Sequence, residues 1–249
     1  MTELFDHRQV RRSFSRAAQH YDSAAALQRE VGARLSESLD YYLDASRNAP
    51  VPQVIVDLGC GPGHAAAAMQ KRWPKAQVIA LDLAMGMLRQ TRVNTAGRLP
   101  AFLDFARRPE PVCADVARLP LRDASVDILY SNLCLQWLDD LPAVFAGFRR
   151  VLKPGGMLLV STFGPDTLFE LRGAFSEADA APHVSLFPSI AQFGDALIAA
   201  GFKDPVLDRD EFTARHDDMA LLMRELRTLG ATNAMQDRRR ALTGRARFA

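Results

Sequence analysis

The first 48 residues have the apolar spacing of helices. Four apolar side chains stand four residues apart and predict one stripe along a helix: Leu27, Val31, Leu35 and Leu39. Pro50 and Pro52 follow, and proline breaks a helix because it lacks a backbone N–H. We therefore expect a helical N-terminal region over residues 1–48 and a boundary after it.

From residue 49 to residue 165, short apolar runs alternate with helical segments. The runs that predict strands lie at residues 53–58, 76–82, 111–115, 126–132 and 157–163. Strands that alternate with helices of this length form a parallel sheet with helices on both faces. The pattern therefore predicts an α/β fold with a Rossmann-like sheet.

The last third of the chain, residues 166–249, is mostly helical in pattern. Helices are predicted at residues 166–175, 189–202 and 219–230, with one strand candidate at residues 205–215. We therefore expect a helical C-terminal region that contributes one strand.

Composition narrows the class of protein. The chain has 249 residues, of which 48% are hydrophobic and 24% charged, as in an ordinary soluble enzyme. Its net charge of +2 argues against a dedicated nucleic-acid binder. No run has the length and apolar character of a membrane span, and the start does not resemble a secretory signal.

The cysteines point to a reducing compartment. Cys60, Cys113 and Cys134 are too scattered for a disulfide framework or a metal site. With no targeting segment evident, we expect the protein in the cytoplasm, without a metal and without a membrane partner.

Basic residues cluster at both ends of the chain. The clusters are Arg8, Arg11, Arg12 and Arg16, and then Arg238, Arg239, Arg240, Arg245 and Arg247. Two interpretations stay open at this stage: solvated helix faces, or a docking patch for an acidic partner.

The stretch "VDLGCGPGH" places Gly59, Gly61 and Gly63 directly after the first predicted strand. Turns of this kind hold ligands at the carboxyl edge of a sheet, and glycine lets backbone and ligand approach closely. The spacing is not that of a dinucleotide site, because His64 stands where its last glycine would be. Pro62 also removes an amide donor, so a ligand without a phosphate fits better.

Acids end three successive predicted strands, at Asp57, Asp82 and Asp115. Asp57 would place a carboxylate near a cationic amino group. Asp82 can accept two hydrogen bonds from a ribose diol, and Asp115 can accept one from an adenine amine. The alternative is that Asp82 and Asp115 only cap the helices that follow them.

These segments resemble the class I S-adenosylmethionine-dependent methyltransferases. The resemblance rests on "VDLGCGPG", the "LD" after the next strand, "ADVARLPL" and "VDILYSNLCLQW", and it covers residues 50–165. It implies a seven-stranded sheet and S-adenosylmethionine as the cofactor. It also implies these cofactor contacts: Asp57, Gly59, Gly61 and Gly63 with the methionine part, Asp82 and Leu83 with the ribose, Asp115 and Val116 with adenine, and Ser131 and Asn132 at the methyl end.

The flanking segments resemble a narrower family, the malonyl-acyl-carrier-protein O-methyltransferases of biotin synthesis. The motifs are "SFSRAAQHYDSAAALQREV", "LQWLDDL", "STFGPDTLFELR", "HVSLFP" and "MRELRTLGA". This resemblance implies methylation of the free carboxylate of a malonyl thioester carried on acyl carrier protein or coenzyme A. The methyl ester masks a charge, so that fatty-acid synthesis can extend the chain toward pimelate.

The implied reaction sets requirements for the acceptor site. A malonyl carboxylate is ionised at neutral pH, so no general base is needed and catalysis can be mostly positioning. An arginine fork suits the carboxylate, and we rank Arg224 and Arg172 above Arg16. Tyr21 would lie on an N-terminal helical lid, over cofactor or substrate; its alternative role is core packing.

The resemblance also raises one expectation of a difference. In this fold an antiparallel strand pair closes the sheet, yet the ending "LTGRARFA" offers no second partner for residues 205–215. We therefore expect the last sheet strand to be missing.

Three rival functions remain at this stage. The first is methylation of another small carboxylic acid or of a quinone precursor. The second follows from "FGPDTLFELR" and "HVSLFP", which also resemble a respiratory-complex assembly factor that hydroxylates a partner's arginine. The third is cofactor binding without catalysis.

Overall fold

A computed structural model of the protein describes residues 4–45, 50–96, 107–178 and 180–238. Its centre is a sheet of five parallel strands in the order β3-β2-β1-β4-β5. The strands are β1 (Val54–Leu58), β2 (Gln77–Asp82), β3 (Glu110–Cys113), β4 (Val126–Asn132) and β5 (Leu152–Ser161). The predicted α/β fold is confirmed.

Helices cover both faces of the sheet, as predicted. They are α1 (His7–Ala17), α2 (Tyr21–Ala24), α3 (Ala26–Ala45), α4 (His64–Arg72), α5 (Met85–Asn94), α6 (Leu141–Val151), α7 (Phe169–Ala178), α8 (Ile190–Ala199) and α9 (Met219–Leu229). One core cluster joins the sheet to α6 and α8 through Phe145, Phe148 and Phe193. The other joins the opposite face to α3 and α4 through Leu39 and Met69.

The carboxyl ends of the strands meet along one edge of the sheet. In the parallel register, Asp57 of β1 stands beside Ala80 of β2 and Tyr130 of β4. At the very tips, Asp82 pairs with Cys113 and Asn132 pairs with Ser161. The acids and amide predicted from sequence therefore share one edge.

Helix α1 lies over this edge and is anchored at its start. Asp6 caps the helix by accepting the N–H of Gln9 and also accepts a 3.0 Å bond from Arg238. Phe5 forms an antiparallel bridge with Met235. The N-terminal region thus folds onto the C-terminal one. Four of the C-terminal arginines, Arg239, Arg240, Arg245 and Arg247, lie outside the described residues.

The strand predicted at residues 205–215 is not formed, and these residues have no regular secondary structure. They cross α3 instead: Arg34 pairs with Asp210 and stacks over Phe212, 4.6 Å from the ring centroid. A strand needs a ladder partner, and none of the described strands forms a β-ladder with this segment. The described sheet consequently has five strands rather than the seven implied by the resemblance.

Strand β5 is longer than predicted. It begins at Leu152 rather than at residue 157, and its register against β4 shifts between the pairs at Val126 and Ile128. Gly155 has a φ of 77°, which lets "KPGG" bulge without leaving the sheet. No helix in the described ranges is long and apolar enough to cross a membrane.

Candidate active site

A cavity opens at the carboxyl edge of the sheet, between the strand tips and α1. Its wall on the sheet side consists of Gly59, Gly61, Asp82, Leu83, Ala84, Met87, Asp115, Val116, Asn132, Leu133 and Cys134. Its wall on the helix side consists of His7, Val10, Arg11, Phe14, Tyr21, Trp137 and Leu138. Seven of the thirteen residues proposed from sequence for catalysis or cofactor binding are on the sheet side, and Tyr21 is on the helix side.

The glycine loop after β1 is held tightly to β2. The N–H groups of Gly59 and Cys60 both donate to the carbonyl of Leu81, at 2.8 and 3.0 Å. Gly61 has a φ of 53°, and a Cβ built there meets nothing within 4 Å. Gly61 therefore leaves open space beside the cavity that a larger residue would fill.

The other two glycines of the loop are required by close packing. A Cβ on Gly59 would lie 2.3 Å from the sulfur of Cys134. A Cβ on Gly63 would lie 2.5 Å from Cγ2 of Thr91, and its φ of 85° is left-handed. Gly63 does not line the cavity; it stands at the N-cap of α4.

Asp82 lines the cavity and organises its floor. One carboxylate oxygen accepts the N–H of Gly61 at 2.9 Å, and the other accepts the N–H of Ala84 at 2.7 Å. Burial raises the pKa of Asp82 to about 6, against these hydrogen bonds, which favour the charged form. The carboxylate retains further lone pairs for a ligand hydroxyl.

Asp57 lies behind the glycine loop and does not line the cavity. Its side chain is 2% exposed, and burial, with a smaller contribution from the charge of Asp82, raises its pKa to about 7. The backbone N–H of Ala66 in α4 donates to the carboxylate, whereas Oδ2 is buried with no hydrogen-bond partner among the described residues. The expected contact of Asp57 with a cationic amino group stays a prediction.

Asp115 caps a short helix and also lines the cavity, while its contact with adenine stays a prediction. Its Oδ1 accepts the N–H of Ala117 at 2.9 Å and so caps the short 3₁₀ helix Val116–Arg118. Asp115 and Val116 also line the cavity, side by side. Capping uses one oxygen, and the other can still accept a hydrogen bond from a ligand amine.

The tip of β4 carries Ser131 and Asn132, which are placed differently. Ser131 does not line the cavity, contrary to expectation; it is fully buried, and its hydroxyl donates to the carbonyl of Leu58 at 3.0 Å. Asn132 does line the cavity, but its amide donates to Gln28 and its oxygen accepts from Ser161. Asn132 therefore joins α3 to β5 at the cavity wall.

Among the thirteen residues proposed from sequence for the site, Tyr21 is the one on the helix-side wall. His7, Val10, Arg11 and Phe14 are spaced at i, i+3, i+4 and i+7, so one face of α1 supplies all four. That spacing can be read from the sequence, but the sequence does not show that a cavity lies beside this face of α1. Phe14 packs edge to face on Trp137 at 5.5 Å.

Tyr21 stands near Asp82 across the cavity. Burial, and then the negative charges of Asp82 and Asp22, raise the pKa of Tyr21 well above its usual range. The phenol is therefore neutral at physiological pH and can donate a hydrogen bond. It also packs with Phe14 against Ala84 and Met87, and its contact with cofactor or substrate stays a prediction.

The three candidate arginines lie outside the cavity lining. Arg16 is exposed in the last turn of α1, and Arg224 is exposed on α9, the helix that packs against α2. Arg172 is partly buried on α7 and donates from Nη2 to the carbonyl of Pro165 at 3.0 Å. The structure does not bring these three together at one point.

The cavity suits an adenosyl sulfonium better than a phosphorylated nucleotide. Its floor combines an open glycine position at Gly61 with the buried acid Asp82, and Asp115 stands at the next strand tip. Buried carboxylates attract a cation and a diol and repel phosphate. Asp57, whose Oδ2 has no hydrogen-bond partner within the described ranges, adds a third acid behind the loop.

Comparisons with known proteins agree with this chemistry. Residues 56–160 match a family described as "Methyltransferase domain". The "Malonyl-acyl-carrier-protein O-methyltransferase" of Xylella fastidiosa is 57% identical over 249 residues, which are 100% of this chain and 80% of the relative. The "Biotin biosynthesis bifunctional protein BioHC" of Saccharophagus degradans is 38% identical over 96% of this chain and 41% of its own length.

Among solved structures, the phosphoethanolamine N-methyltransferase 2 of Haemonchus contortus, in complex with S-adenosyl-L-methionine, superposes with a TM-score of 0.54. It is 19% identical and covers 76% of this chain and 42% of its own. That similarity supports the fold alone. The identity to the Xylella relative, over the whole chain, establishes more: the chain belongs to the family of the malonyl-acyl-carrier-protein O-methyltransferases.

Proposed function

We propose that the protein transfers a methyl group from S-adenosylmethionine to the free carboxylate of a malonyl thioester. The thioester is carried on acyl carrier protein or on coenzyme A, and the ester serves an early step of biotin synthesis. The observation that carries the proposal is a cavity with buried acids and an open glycine position, in a chain 57% identical to a named malonyl-acyl-carrier-protein O-methyltransferase.

The sheet-side wall would hold the cofactor. Gly59 and Gly61 leave room for its methionine part, Asp82 and Leu83 would bind the ribose, and Asp115 with Val116 would bind adenine; all six line the cavity. S-adenosylmethionine, when bound, supplies an electrophilic methyl group. Asp57, Gly63 and Ser131 would act indirectly, since they hold the loop and the tip of β4 in place.

The acceptor needs positioning rather than activation. A malonyl carboxylate is ionised at neutral pH, and Tyr21, whose pKa is raised, is neutral and can donate a hydrogen bond but cannot act as a base. Arg172 and Arg224 are the candidates for holding the acceptor's anion, and the geometry favours Arg172. Its Nη1 is buried without a hydrogen-bond partner in the part of the chain that the structure describes, whereas Arg224 is exposed.

The acyl carrier protein is the proposed macromolecular partner. Arg8, Arg12 and Arg16 stand four residues apart on the exposed face of α1, opposite the face that lines the cavity. Such a basic stripe can steer an acidic carrier toward the cavity. We place the reaction in the cytoplasm, in keeping with three free cysteines.

We assign a separate role to each of three regions of the chain. Residues 1–48 would act as the lid, residues 49–165 as the cofactor-binding core, and residues 166–249 as the acceptor side. The order of the elements around the cavity supports this division, because α1 covers the cavity and α7 follows the edge strand β5.

One assay tests the proposed function. The protein is incubated with methyl-labelled S-adenosylmethionine and, separately, malonyl carrier protein, malonyl coenzyme A, free malonate or acetyl carrier protein. Label is expected in a base-labile ester of the malonyl thioesters and none in the acetyl control. Cofactor binding without transfer to any malonyl compound would contradict the proposal, and it would favour the rival functions.

A further inference from the structure

Arg11 places a positive charge at the rim of the cavity. Among the described residues that line the cavity, it is the only arginine or lysine, and its side chain is also exposed to solvent. Val10, its neighbour in the lining, is buried. Arg11 therefore stands where the cavity opens, rather than at its floor.

The guanidinium of Arg11 is available to a ligand. No described residue forms a hydrogen bond or an ion pair with it. His7, one turn earlier on the same face, is different, because its Nε2 contacts Oδ2 of Asp139 at 2.8 Å. Of the two basic side chains on the lining face of α1, Arg11 is thus the one without a protein partner in the described ranges.

Helix α1 carries positive charge that its own residues do not balance. Its 11 residues include no acid and four arginines: Arg8, Arg11, Arg12 and Arg16. Like charges one turn apart repel each other along a helix, and Arg8 stands in that relation to both Arg11 and Arg12. An anion bound beside Arg11 would reduce this repulsion.

The proposed acceptors supply an anion of the right kind. Malonyl acyl carrier protein and malonyl coenzyme A hold the malonyl group on the same phosphopantetheine arm, which has its thioester at one end and a phosphate at the other. Asp82 and Asp115 line the cavity, and their carboxylates repel a phosphate. With the malonyl group inside the cavity, the phosphate at the far end of the arm would stay at the opening.

Arg11 also lies between the cavity and the basic stripe of α1. It is four residues after His7, which lines the cavity, and three residues after Arg8, which belongs to the exposed stripe. Residues three and four apart are neighbours on a helix surface. A carrier protein held by the stripe would therefore send its arm into the cavity past Arg11.

We propose that Arg11 binds the phosphate of the acceptor's phosphopantetheine arm at the rim of the cavity. The proposal rests on the proposed function and deepens it. The planar guanidinium can donate two parallel hydrogen bonds to phosphate oxygens. Because carrier protein and coenzyme A share the arm, Arg11 would serve both acceptors, whereas the stripe would serve the carrier protein alone.

Acceptors with and without the phosphate test this subsite. KM and kcat are measured for malonyl pantetheine, malonyl phosphopantetheine, malonyl coenzyme A and malonyl carrier protein. The wild type is expected to have a higher KM for malonyl pantetheine than for malonyl phosphopantetheine. Arg11→Gln should raise the KM of the three phosphate-bearing acceptors about tenfold and leave their kcat, and both constants for malonyl pantetheine, unchanged. Arg11→Lys keeps the charge and should raise those KM values less.

The controls separate the possible failures. Arg149→Gln changes an exposed arginine on α6 and should behave as the wild type. Thermal unfolding and the affinity for S-adenosylhomocysteine show whether each variant is folded, and Arg11→Lys serves where Arg11→Gln does not fold.

Three results would overturn this subsite alone. They are equal wild-type KM values for malonyl pantetheine and malonyl phosphopantetheine, a loss in Arg11→Gln that extends equally to malonyl pantetheine, and transfer to malonyl carrier protein only, which would place recognition on the carrier. A wild type that methylates none of the malonyl thioesters overturns the proposed function itself.

Discussion

The carboxylate of Asp82 accepts the backbone N–H of Gly61 at 2.9 Å, which ties the tip of β2 to the glycine loop after β1. The residue proposed for the ribose thus also sets the shape of the loop proposed for the methionine part. A second bond, from the N–H of Ala84 at 2.7 Å, fixes the other oxygen. The two halves of the proposed cofactor site are therefore built around one buried acid.

The two buried acids predict a dependence of stability on pH. The pKa of Asp57 is raised to about 7 and that of Asp82 to about 6, from 3.8 for both. The folded state then binds protons more tightly than the unfolded state, so the free energy of unfolding should fall as pH rises from about 4 through about 7. Denaturant unfolding of the cofactor-free protein at several pH values measures this.

Asp57→Asn should flatten that pH profile, because the amide does not ionise, whereas the exposed Asp195→Asn should leave it unchanged. Over the same interval, the affinity for S-adenosylmethionine should rise with pH in the wild type, since ionised acids attract its cation. If the stability profiles of Asp57→Asn and the wild type coincide, burial of this carboxyl does not govern how the free energy of unfolding changes with pH.

Gly61→Ala should separate cofactor binding from folding. The residue has a φ of 53°, so the substitution costs about 1–2 kcal/mol of backbone strain. The added methyl group also fills the open space where the Cβ would be. We expect the affinity for S-adenosylmethionine to fall at least tenfold. Gly155→Ala is a matched control, since its φ is 77° and its Cβ also meets nothing within 4 Å.

Both glycine variants should lose similar stability in thermal unfolding, yet Gly155→Ala should bind the cofactor like the wild type. Equal affinities for the two variants would mean that the space at Gly61 is not used by the cofactor.

Gly86→Ala should displace the lid. A Cβ on this residue of α5 would lie 2.3 Å from the carbonyl oxygen of Ser15, so α1 would have to move away from α5. We expect weaker cofactor binding and faster proteolysis of the N-terminal region, with a fold that survives. Gly147→Ala, in α6 with nothing within 4 Å of its Cβ, should instead add about 0.5–1 kcal/mol of stability.

A normal rate of N-terminal proteolysis in Gly86→Ala, with normal cofactor affinity, would argue against α1 as the cover of this cavity.

Arg12→Glu should affect carrier-bound substrate alone. Arg12 is exposed in the basic stripe of α1 and does not line the cavity, unlike its neighbour Arg11. We expect the KM for malonyl carrier protein to rise about threefold to tenfold at low salt, less at high salt, with the KM for malonyl coenzyme A unchanged. Arg149→Glu, on the exposed side of α6, provides the matched charge reversal. A rise of both KM values in Arg12→Glu would assign the effect to the cavity rather than to docking.

Local patterns were sufficient for the sheet and for much of the site. Continuous apolar runs such as Val54–Leu58 are buried strands, and the acids that end them share one edge because parallel strands end together. Asp82, Leu83, Asp115 and Val116 line the cavity for that reason. Contacts between residues near each other in sequence, or at equivalent strand ends, can be deduced from periodicity.

Contacts between distant segments could not be deduced that way. Residues 205–215 have a strand-like composition but cross α3 through Arg34, because no described strand offers them a ladder. Ser131 turns its hydroxyl to Leu58, and the ring of Phe175 stacks on the imidazole of His183.

The sequence by itself determined the strands, the helices, the glycine loop and the acids at the strand tips, because these follow from local spacing. The tertiary structure alone decided which face of α1 covers the cavity and that an N–H of Arg172 is buried. The burial and orientation of these side chains depend on packing between segments more than a hundred residues apart, such as Asp6 with Arg238. Local spacing in the sequence does not determine that packing.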